Sequence, residues 1–569
     1  MADDDEHQAE IRSFTTTFGL GSDNGLQEVP PTPDYRMLLV GDFGIADNGD
    51  CLDLANQDLA ELLSDLAPQF TIEAENLLGS YPPVLSETLC LSKLSHLRPE
   101  KLSAQFSYKS EIGPALKAGN LQSLERFGQR YDKLTESALQ LEKTSRPIKH
   151  QKTGVAEETT TPDMNPDISD DLDRLLSMVE VPEAAPTAAK GLLDSFIEQN
   201  IPSDTSRGAP EEAPIPGAER LLTLQAKAFL SVPRCQQILE NWIGLRLLLS
   251  STPKDQMPDV SLLQIPLDAD VGDISQRLEE ALSAALFDLV VFTNRCDLKN
   301  AGVAELKALA IAAHTFDTLS LATLTPDFSG VAASELAMRD APQQIVGSIG
   351  HEGFFSLRDN DAAHHLGLLW NDGCARPMSQ DSPAYFIPSS WIAATMISQQ
   401  VARTGWPMLT PGLRAEFDAL EVQSKHIGGR EVGDVVRATI SRDSSEALAQ
   451  AGITVLSGQE NRASVFFGQP ATIASGKGDQ SLTNALVLAR LNTLLQSVLM
   501  EAFSADQPVD ETLQTLRLRF AQLNDIYSGK MAFDVKLGDD DDGGSVIEVA
   551  ARPTPDIAPQ QEFEFKIPV

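Results

Sequence analysis

One acidic, proline-rich stretch sets the organisation of this chain. Residues 155–217 carry 14 Asp and Glu against 3 Lys and Arg, together with 8 prolines. A segment of this composition cannot bury enough apolar surface to offset the entropy lost on ordering it. The sequence therefore predicts two folded parts, at 1–145 and 218–569, joined by a linker at 146–217.

The overall charge excludes several classes of function. The 569 residues carry 82 Asp and Glu against 44 Lys and Arg, a formal net charge of −38. A general nucleic-acid binder needs a basic surface that replaces condensed counterions, and anionic lipid attracts basic segments. We therefore expect no nucleic-acid partner.

Cysteine usage and apolar runs bear on the compartment. The five cysteines form no CxxC pair, which favours a reducing compartment over a disulfide scaffold. Residues 3–6 are acidic where a signal peptide is basic, and no run of 18 apolar residues occurs. We predict a cytoplasmic chain with no stable membrane insertion.

Hydrophobic periodicity predicts the fold class. Apolar, β-favouring runs occur at 35–40, 287–292 and 319–324, and helices are expected at 274–286, 305–313 and 391–404. Alternation of strands and helices indicates an α/β (mixed α+β) fold with a parallel sheet. A further strand is expected at 437–440, and a hairpin at 531–550, where an acidic Gly/Asp turn at 538–544 joins two strands.

Strand-like segments also lie at both ends of the chain. At 9–18 the apolar positions are Ile11, Phe14 and Phe18, and at 562–567 they are Phe563, Phe565 and Ile567. Such strands can extend a neighbouring subunit's sheet, or they can pair within their own subunit. A heterologous exchange between subunits would build rings or helical polymers.

A search for catalytic chemistry finds no motif that holds. Gly476-Lys477 lacks the first glycine and the Ser/Thr of a phosphate-binding loop. His351, His364 and His365 are the one cluster with ligand chemistry; surface or interface histidines and a metal site are the two interpretations. We expect no enzyme activity, cofactor or metal.

The linker contains an apolar island at 191–200. Leu192, Leu193, Phe196 and Ile197 would share one face of a helix. This pattern is compatible with a transient helix or with a short helix that docks in a partner's groove.

Several local sequences then resemble one family. Residues 38–43 (LLVGDF), with Gly41, Asp42 and Phe43, and 53–68 resemble the small sheath subunit of type VI secretion systems (TssB, also VipA). Residues 97–102 resemble that family's Phe-His-Pro-Asp element, with Arg98 where His is usual.

The part after the linker resembles the large sheath subunit (TssC, also VipB). Residues 233–245 (PRCQQILENWIGL) resemble a helix of that subunit, with Ile243 where Arg is usual. The matching positions are Trp242, Gly244, Trp406, Arg442, Asn461, Arg552 and Pro553. The two subunits are usually separate polypeptides, and here they would be fused.

The resemblance implies a sheath-protein core of sheets with packed helices and terminal strand arms. It implies a structural subunit that polymerises around an inner tube and contracts to propel it. Implied partners are further copies in a helical homopolymer, an Hcp-like tube protein, baseplate and cap proteins, and a ClpV-type unfoldase at the 191–200 helix. The baseplate would be membrane-anchored. A non-polymerising adaptor or baseplate component is the alternative.

Overall fold

The computed structural model describes residues 12–15, 34–46, 49–54, 57–117, 121–136, 216–338, 352–379, 382–427, 430–475, 480–502, 509–539, 545–558 and 562–568. The predicted linker and its 191–200 helix lie outside these residues, except for the last two linker positions. The division at 145 and 217 stays a prediction.

The described strands are numbered in chain order. They are β1 (Arg12–Thr15), β2 (Arg36–Gly41), β3 (Leu52–Asp53), β4 (Gln69–Glu75), β5 (Val84–Cys90), β6 (Asp259–Gln264), β7 (Leu289–Cys296), β8 (Leu319–Leu324), β9 (Leu366–Trp370), β10 (Gly373–Arg376), β11 (Tyr385–Ile387), β12 (Gln423–Ile427), β13 (Arg430–Asp434), β14 (Ile453–Gly458), β15 (Val465–Phe467), β16 (Met531–Asp539), β17 (Ser545–Pro553) and β18 (Phe563–Pro568).

The described α-helices are numbered in the same way. They are α1 (Leu59–Leu66), α2 (Pro99–Leu102), α3 (Ser107–Lys117), α4 (Pro216–Leu230), α5 (Pro233–Ser251), α6 (Val271–Ala284), α7 (Asn300–Thr315), α8 (Ala333–Ala337), α9 (Glu352–Arg358), α10 (Ser389–Thr404), α11 (Arg442–Gln450), α12 (Leu482–Ala502) and α13 (Val509–Ile526).

An eight-stranded sheet forms the centre of the molecule. Its strand order is β15-β14-β9-β8-β7-β2-β6-β3, and the six strands from β14 to β6 run parallel. The two short edge strands pair antiparallel. The α/β prediction is therefore confirmed.

The central sheet joins the first and last parts of the chain. β2 comes from the first part, yet it lies between β6 and β7 of the last part. Its register pairs Leu39 with Leu262 on one side and with Val291 on the other. Residues more than 200 positions apart thus share one hydrogen-bonded ladder.

Both faces of the central sheet are covered. Met37 and Leu39 face a core that includes α5 and α10, whereas Leu38 and Val40 face a core that includes α6 and α7. Strands buried on both faces read as continuous apolar runs, which explains why β2, β7 and β8 could be predicted. The result is a three-layer helix–sheet–helix arrangement.

A second, four-stranded sheet contains both terminal strands. Its order is β1-β18-β17-β16, with β1 parallel to β18 and the other pairs antiparallel. Phe563, Phe565 and Ile567 are buried in a core shared with α12 and α13. The predicted hairpin is present as β16–β17, and we call this unit the terminal sheet.

The strand expected at 437–440 does not form. Asp372 fixes this segment instead, since its carbonyl accepts the Arg437 amide at 2.9 Å and its carboxylate accepts the Arg437 guanidinium. Apolar, β-branched residues favour a strand, but this contact with one buried side chain overrides the local preference.

Candidate functional site

The two predicted motif groups meet in one buried cluster. Phe43, just after β2, packs edge-to-face on Trp242 of α5, with ring centroids 5.9 Å apart. Trp242 Nε1 donates to the carbonyl of Phe43 at 2.8 Å. Gly41, Asp42, Phe43, Trp242 and Gly244 are therefore brought together, and we call them the motif cluster.

Asp42 is the polar centre of the motif cluster. Its side chain is fully buried and accepts from Arg234 Nε at 3.1 Å, Gln264 Nε2 at 2.9 Å and the Gly44 amide at 3.0 Å. The side chain of Asn241 donates to the Asp42 carbonyl at 2.8 Å. A buried carboxylate with this many donors locks the loop after β2 onto α5 and β6.

The two glycines of the motif cluster permit close approach. A Cβ at Gly41 would lie 1.9 Å from Thr293 Oγ1, and a Cβ at Gly244 would lie 2.5 Å from the indole of Trp391. Both distances are below van der Waals contact, so any larger residue would push the neighbouring element away.

A buried ionic cluster lies beside β7 and was missed from the sequence. Arg295 contacts Glu240 at 2.7 Å and Asp372 at 3.1 Å, and it donates to the carbonyl of Phe386 at 2.8 Å. Arg437 shares Asp372 and stacks over the Phe386 ring at 4.1 Å. Burial alone would lower the pKa of Arg295, but the carboxylates of Asp372 and Glu240 raise it above its usual value.

A second buried pair, Asp288 and Arg490, joins the central sheet to α12. Arg490 Nη1 lies 3.2 Å from Asp288, whose carboxylate also accepts the amide of Arg36 at 2.7 Å. A charged residue inside an apolar helix such as α12 is a sequence signal for a buried partner. That signal could have identified Arg490 but not its partner.

The remaining motif residues are spread over the molecule. Trp406 is buried against Tyr527, with centroids 4.9 Å apart. Arg442 is exposed and pairs with Glu446 on α11, whereas Asn461 holds Gly433 through its amide oxygen at 2.9 Å. Arg552, at the end of β17 beside Pro553, pairs with Glu562 at 2.7 Å.

The terminal strands pair with each other within this chain. The register places Arg12 opposite Phe563, Phe14 opposite Phe565 and Thr15 opposite Lys566. Ile11 and Phe18 lie outside the described residues. This pairing corresponds to one of the two arrangements left open by the sequence.

The second face of the terminal sheet carries charges of alternating sign. Glu548 of β17 lies between Lys536 of β16 and Lys566 of β18. Opposite charges on directly opposed residues stabilise one register over a slipped one. This face is therefore polar, in contrast to both faces of the central sheet.

Within the histidine cluster, the structure explains the position of His365. His365 Nδ1 lies 2.7 Å from the carbonyl of Thr318, and its ring packs on His314 at 5.0 Å. Burial lowers the pKa of His365 to about 4. In the described part of the chain, no group of three His, Cys, Asp or Glu could hold a metal ion, and His351 lies outside that part.

No helix of the described segments is both long and apolar enough to cross a bilayer. The four positions of the proposed docking helix, Leu192, Leu193, Phe196 and Ile197, lie outside the described residues.

Comparison with solved structures finds proteins of contractile assemblies. A chain of the anti-feeding prophage baseplate is 14% identical with a TM-score of 0.36, covering 55% of this chain and 76% of that one. A chain of the contracted anti-feeding prophage sheath is 13% identical with a TM-score of 0.35, covering 55% and 78%. The sheath tail protein from Listeria innocua is 14% identical with a TM-score of 0.31, covering 53% and 60%.

No protein-family model matches the sequence, and no curated protein matches it. At these TM-scores, the function has to be inferred from the residues of the chain itself.

Proposed function

We propose that this chain is a structural subunit of a contractile sheath in a type VI secretion or related contractile injection machine. It would polymerise around an inner tube and contract to propel that tube. The observation that carries the proposal is the motif cluster, in which a TssB-like Gly-Asp-Phe and a TssC-like Trp-x-Gly form one buried core. Two subunit-like parts that share a core and a sheet act as one building block.

Fusion of two such parts has a physical consequence for assembly. A covalent link fixes their ratio at one to one and raises the effective concentration of one part near the other. The central sheet would serve as the rigid body of the protomer, and the terminal sheet would supply strands to its neighbours. Contraction would then be a rigid-body rotation of protomers about those strands.

The proposed partners follow from this role. They are further copies of the chain, an Hcp-like inner tube, baseplate and cap proteins, and a ClpV-type unfoldase that binds residues 191–200. We propose a cytoplasmic location, with the sheath attached to a membrane-anchored baseplate. No active site is required, because the work comes from a change in packing.

Electron microscopy of the overexpressed chain tests the proposal. We expect tubes with cogwheel cross-sections, and a folded protomer without tubes when the chain ends at residue 561. Lys566→Gln, which keeps β18 in place, serves as the matched control and should still form tubes. Normal tubes from the truncated chain would contradict the strand-exchange role.

A non-polymerising adaptor or baseplate component is the second candidate. The pairing of β1 with β18 inside one chain favours it, because that edge is then already filled. Size-exclusion chromatography separates the two, since an adaptor elutes at the mass of one or a few chains and a sheath subunit gives very large assemblies.

A further inference from the structure

The two edges of the terminal sheet differ in the length of the strand that forms them. β16 forms one edge, and it has no second strand partner among the described residues. At nine residues it is long enough to template the addition of another chain. The opposite side of the sheet ends in β18 and the four-residue β1.

Alternate backbone groups of β16 point away from β17. Met531 lies opposite Pro553, which has no N–H, so this is a non-hydrogen-bonded pair. The period of two then places the N–H and C=O groups of Phe533 and Val535 on the outer edge as well. These groups would receive an incoming strand.

Groups of the same chain already occupy this outer edge. The side chain of Asn524 accepts from the Phe533 amide at 2.7 Å and donates to the Phe533 carbonyl at 2.9 Å. The Met531 amide donates to the carbonyl of Tyr527 at 3.2 Å.

A primary amide presents N–H donors and a carbonyl acceptor side by side, as the backbone of a neighbouring strand would. We propose that Asn524 closes the β16 edge, so that copies of this chain join the terminal sheet only on the β18 side. The strand they supply there is β1, residues Arg12–Thr15, whose parallel register on β18 is already seen within one chain. This inference rests on the proposed function and adds a single direction of strand addition to it.

Hydrogen exchange on the full-length chain tests the cap directly. In Asn524→Ala, the Phe533 amide should exchange about tenfold faster or more, because it loses its acceptor. The amides of Ala532 and Asp534, which face β17, should keep their protection. Unchanged exchange at Phe533 would show that Asn524 is not the cap.

Two further variants separate the cap from a general loss of structure. Asn524→Asp keeps an acceptor oxygen for the Phe533 amide, so its exchange should stay slow. Gln514→Ala removes an exposed amide from the same helix and should change nothing. If Gln514→Ala accelerates Phe533 as much as Asn524→Ala does, the proposal fails.

Assembly gives the second readout. Asn524→Ala should form laterally joined or irregular aggregates with stronger light scattering than the wild type, whereas Asn524→Asp and Gln514→Ala should not. If Asn524→Ala assembles as the wild type does, the proposal that strands are added only on the β18 side is wrong, even if both proteins form tubes. If the wild type forms no tubes, the proposed function fails, while the exchange experiment still decides whether Asn524 closes the edge.

Discussion

The two sheets of this molecule are stabilised in different ways. In the central sheet, all six residues of β8 are buried, and its charged groups pair in the interior, as Asp288 and Arg490 do. In the terminal sheet, one face is apolar and the other carries a ladder of charges around Glu548. A sheet covered on both faces cannot lose a strand without losing its core, whereas a one-faced sheet can exchange an edge strand.

The difference assigns separate tasks to the two parts. The central sheet suits a body that keeps its shape, since its interior ion pairs and glycine contacts tolerate little displacement. The terminal sheet suits a connection that forms and breaks, since its registers depend on pairs close to solvent. Four substitutions test this contrast, beginning with the largest expected effect.

Arg490→Met should cost about 3–5 kcal/mol of unfolding free energy, because it leaves the buried carboxylate of Asp288 without its cation. Urea unfolding followed by circular dichroism measures the loss. The matched control is Arg442→Met, which removes an exposed ion pair and should change stability little. Equal losses of unfolding free energy in the two variants would show that the interior ion pair stabilises the central sheet no more than an exposed ion pair does.

Gly244→Ala should cost about 2–3 kcal/mol, because its Cβ would overlap the indole of Trp391. Gly113→Ala is the matched control. Its Cβ would meet no atom within 4 Å other than those of its chain neighbours, and the gain from replacing a helical glycine is offset by the strain of a larger residue before Pro114, so the change should stay within about 1 kcal/mol. Thermal unfolding measures both variants, and destabilisation of the same size in both would contradict the close-contact argument.

His365 should make the central sheet sensitive to acid. Its pKa is lowered to about 4 by burial, whereas an unfolded histidine titrates near 6.5. The unfolded chain therefore binds a proton first, and stability falls as pH drops from about 6.5 towards 4, by about 2 kcal/mol at pH 5. Urea unfolding at pH 7.5 and pH 5 measures this loss.

His365→Gln should remove most of that pH dependence, and His364→Gln should not. Burial raises the pKa of Glu240, which acts in the opposite direction but is present in every variant compared. Residues 531–568 contain no histidine, so exchange protection in the terminal sheet should respond less to pH. An unchanged pH slope in His365→Gln would refute the role of this residue.

Lys566→Glu should have the smallest effect, about 0.5 kcal/mol, because it places like charges opposite each other on β17 and β18. The loss should appear as faster exchange of amides in β18 alone, and added salt should reduce it. Lys566→Gln should show about half the effect. Faster exchange throughout β7 and β8 as well would mean that the two sheets unfold as one unit.

Much of the fold follows from apolar periodicity. The strands β2, β7 and β8 and the helices α6 and α10 lie close to their predicted positions, because each shows a clear period over its own length. The hairpin β16–β17 was predicted from its Gly/Asp turn. The α/β class follows directly from the alternation of these elements.

Long-range partners could not be predicted in the same way. Nothing near Gly41 in the sequence indicates that β2 lies between β6 and β7, since that order depends on contacts across more than 200 residues. Asp372 and Arg437 lie 65 positions apart, and their contact replaces the strand expected at 437–440. The resemblance identified Phe43 and Trp242 separately. Their mutual packing, and the contact of Asn524 with β16, could be seen only in the structure.

The parallel pairing of β1 and β18 has a consequence for rewiring the chain. Parallel strands cannot be joined by a tight turn, because the end of one lies a full strand length from the start of the other. For the six residues of β18 this distance is about 20 Å. A circular permutant that joins residue 568 to residue 12 therefore needs a connecting segment that spans the length of the strands, and a two-residue loop there would force β1 off its neighbour.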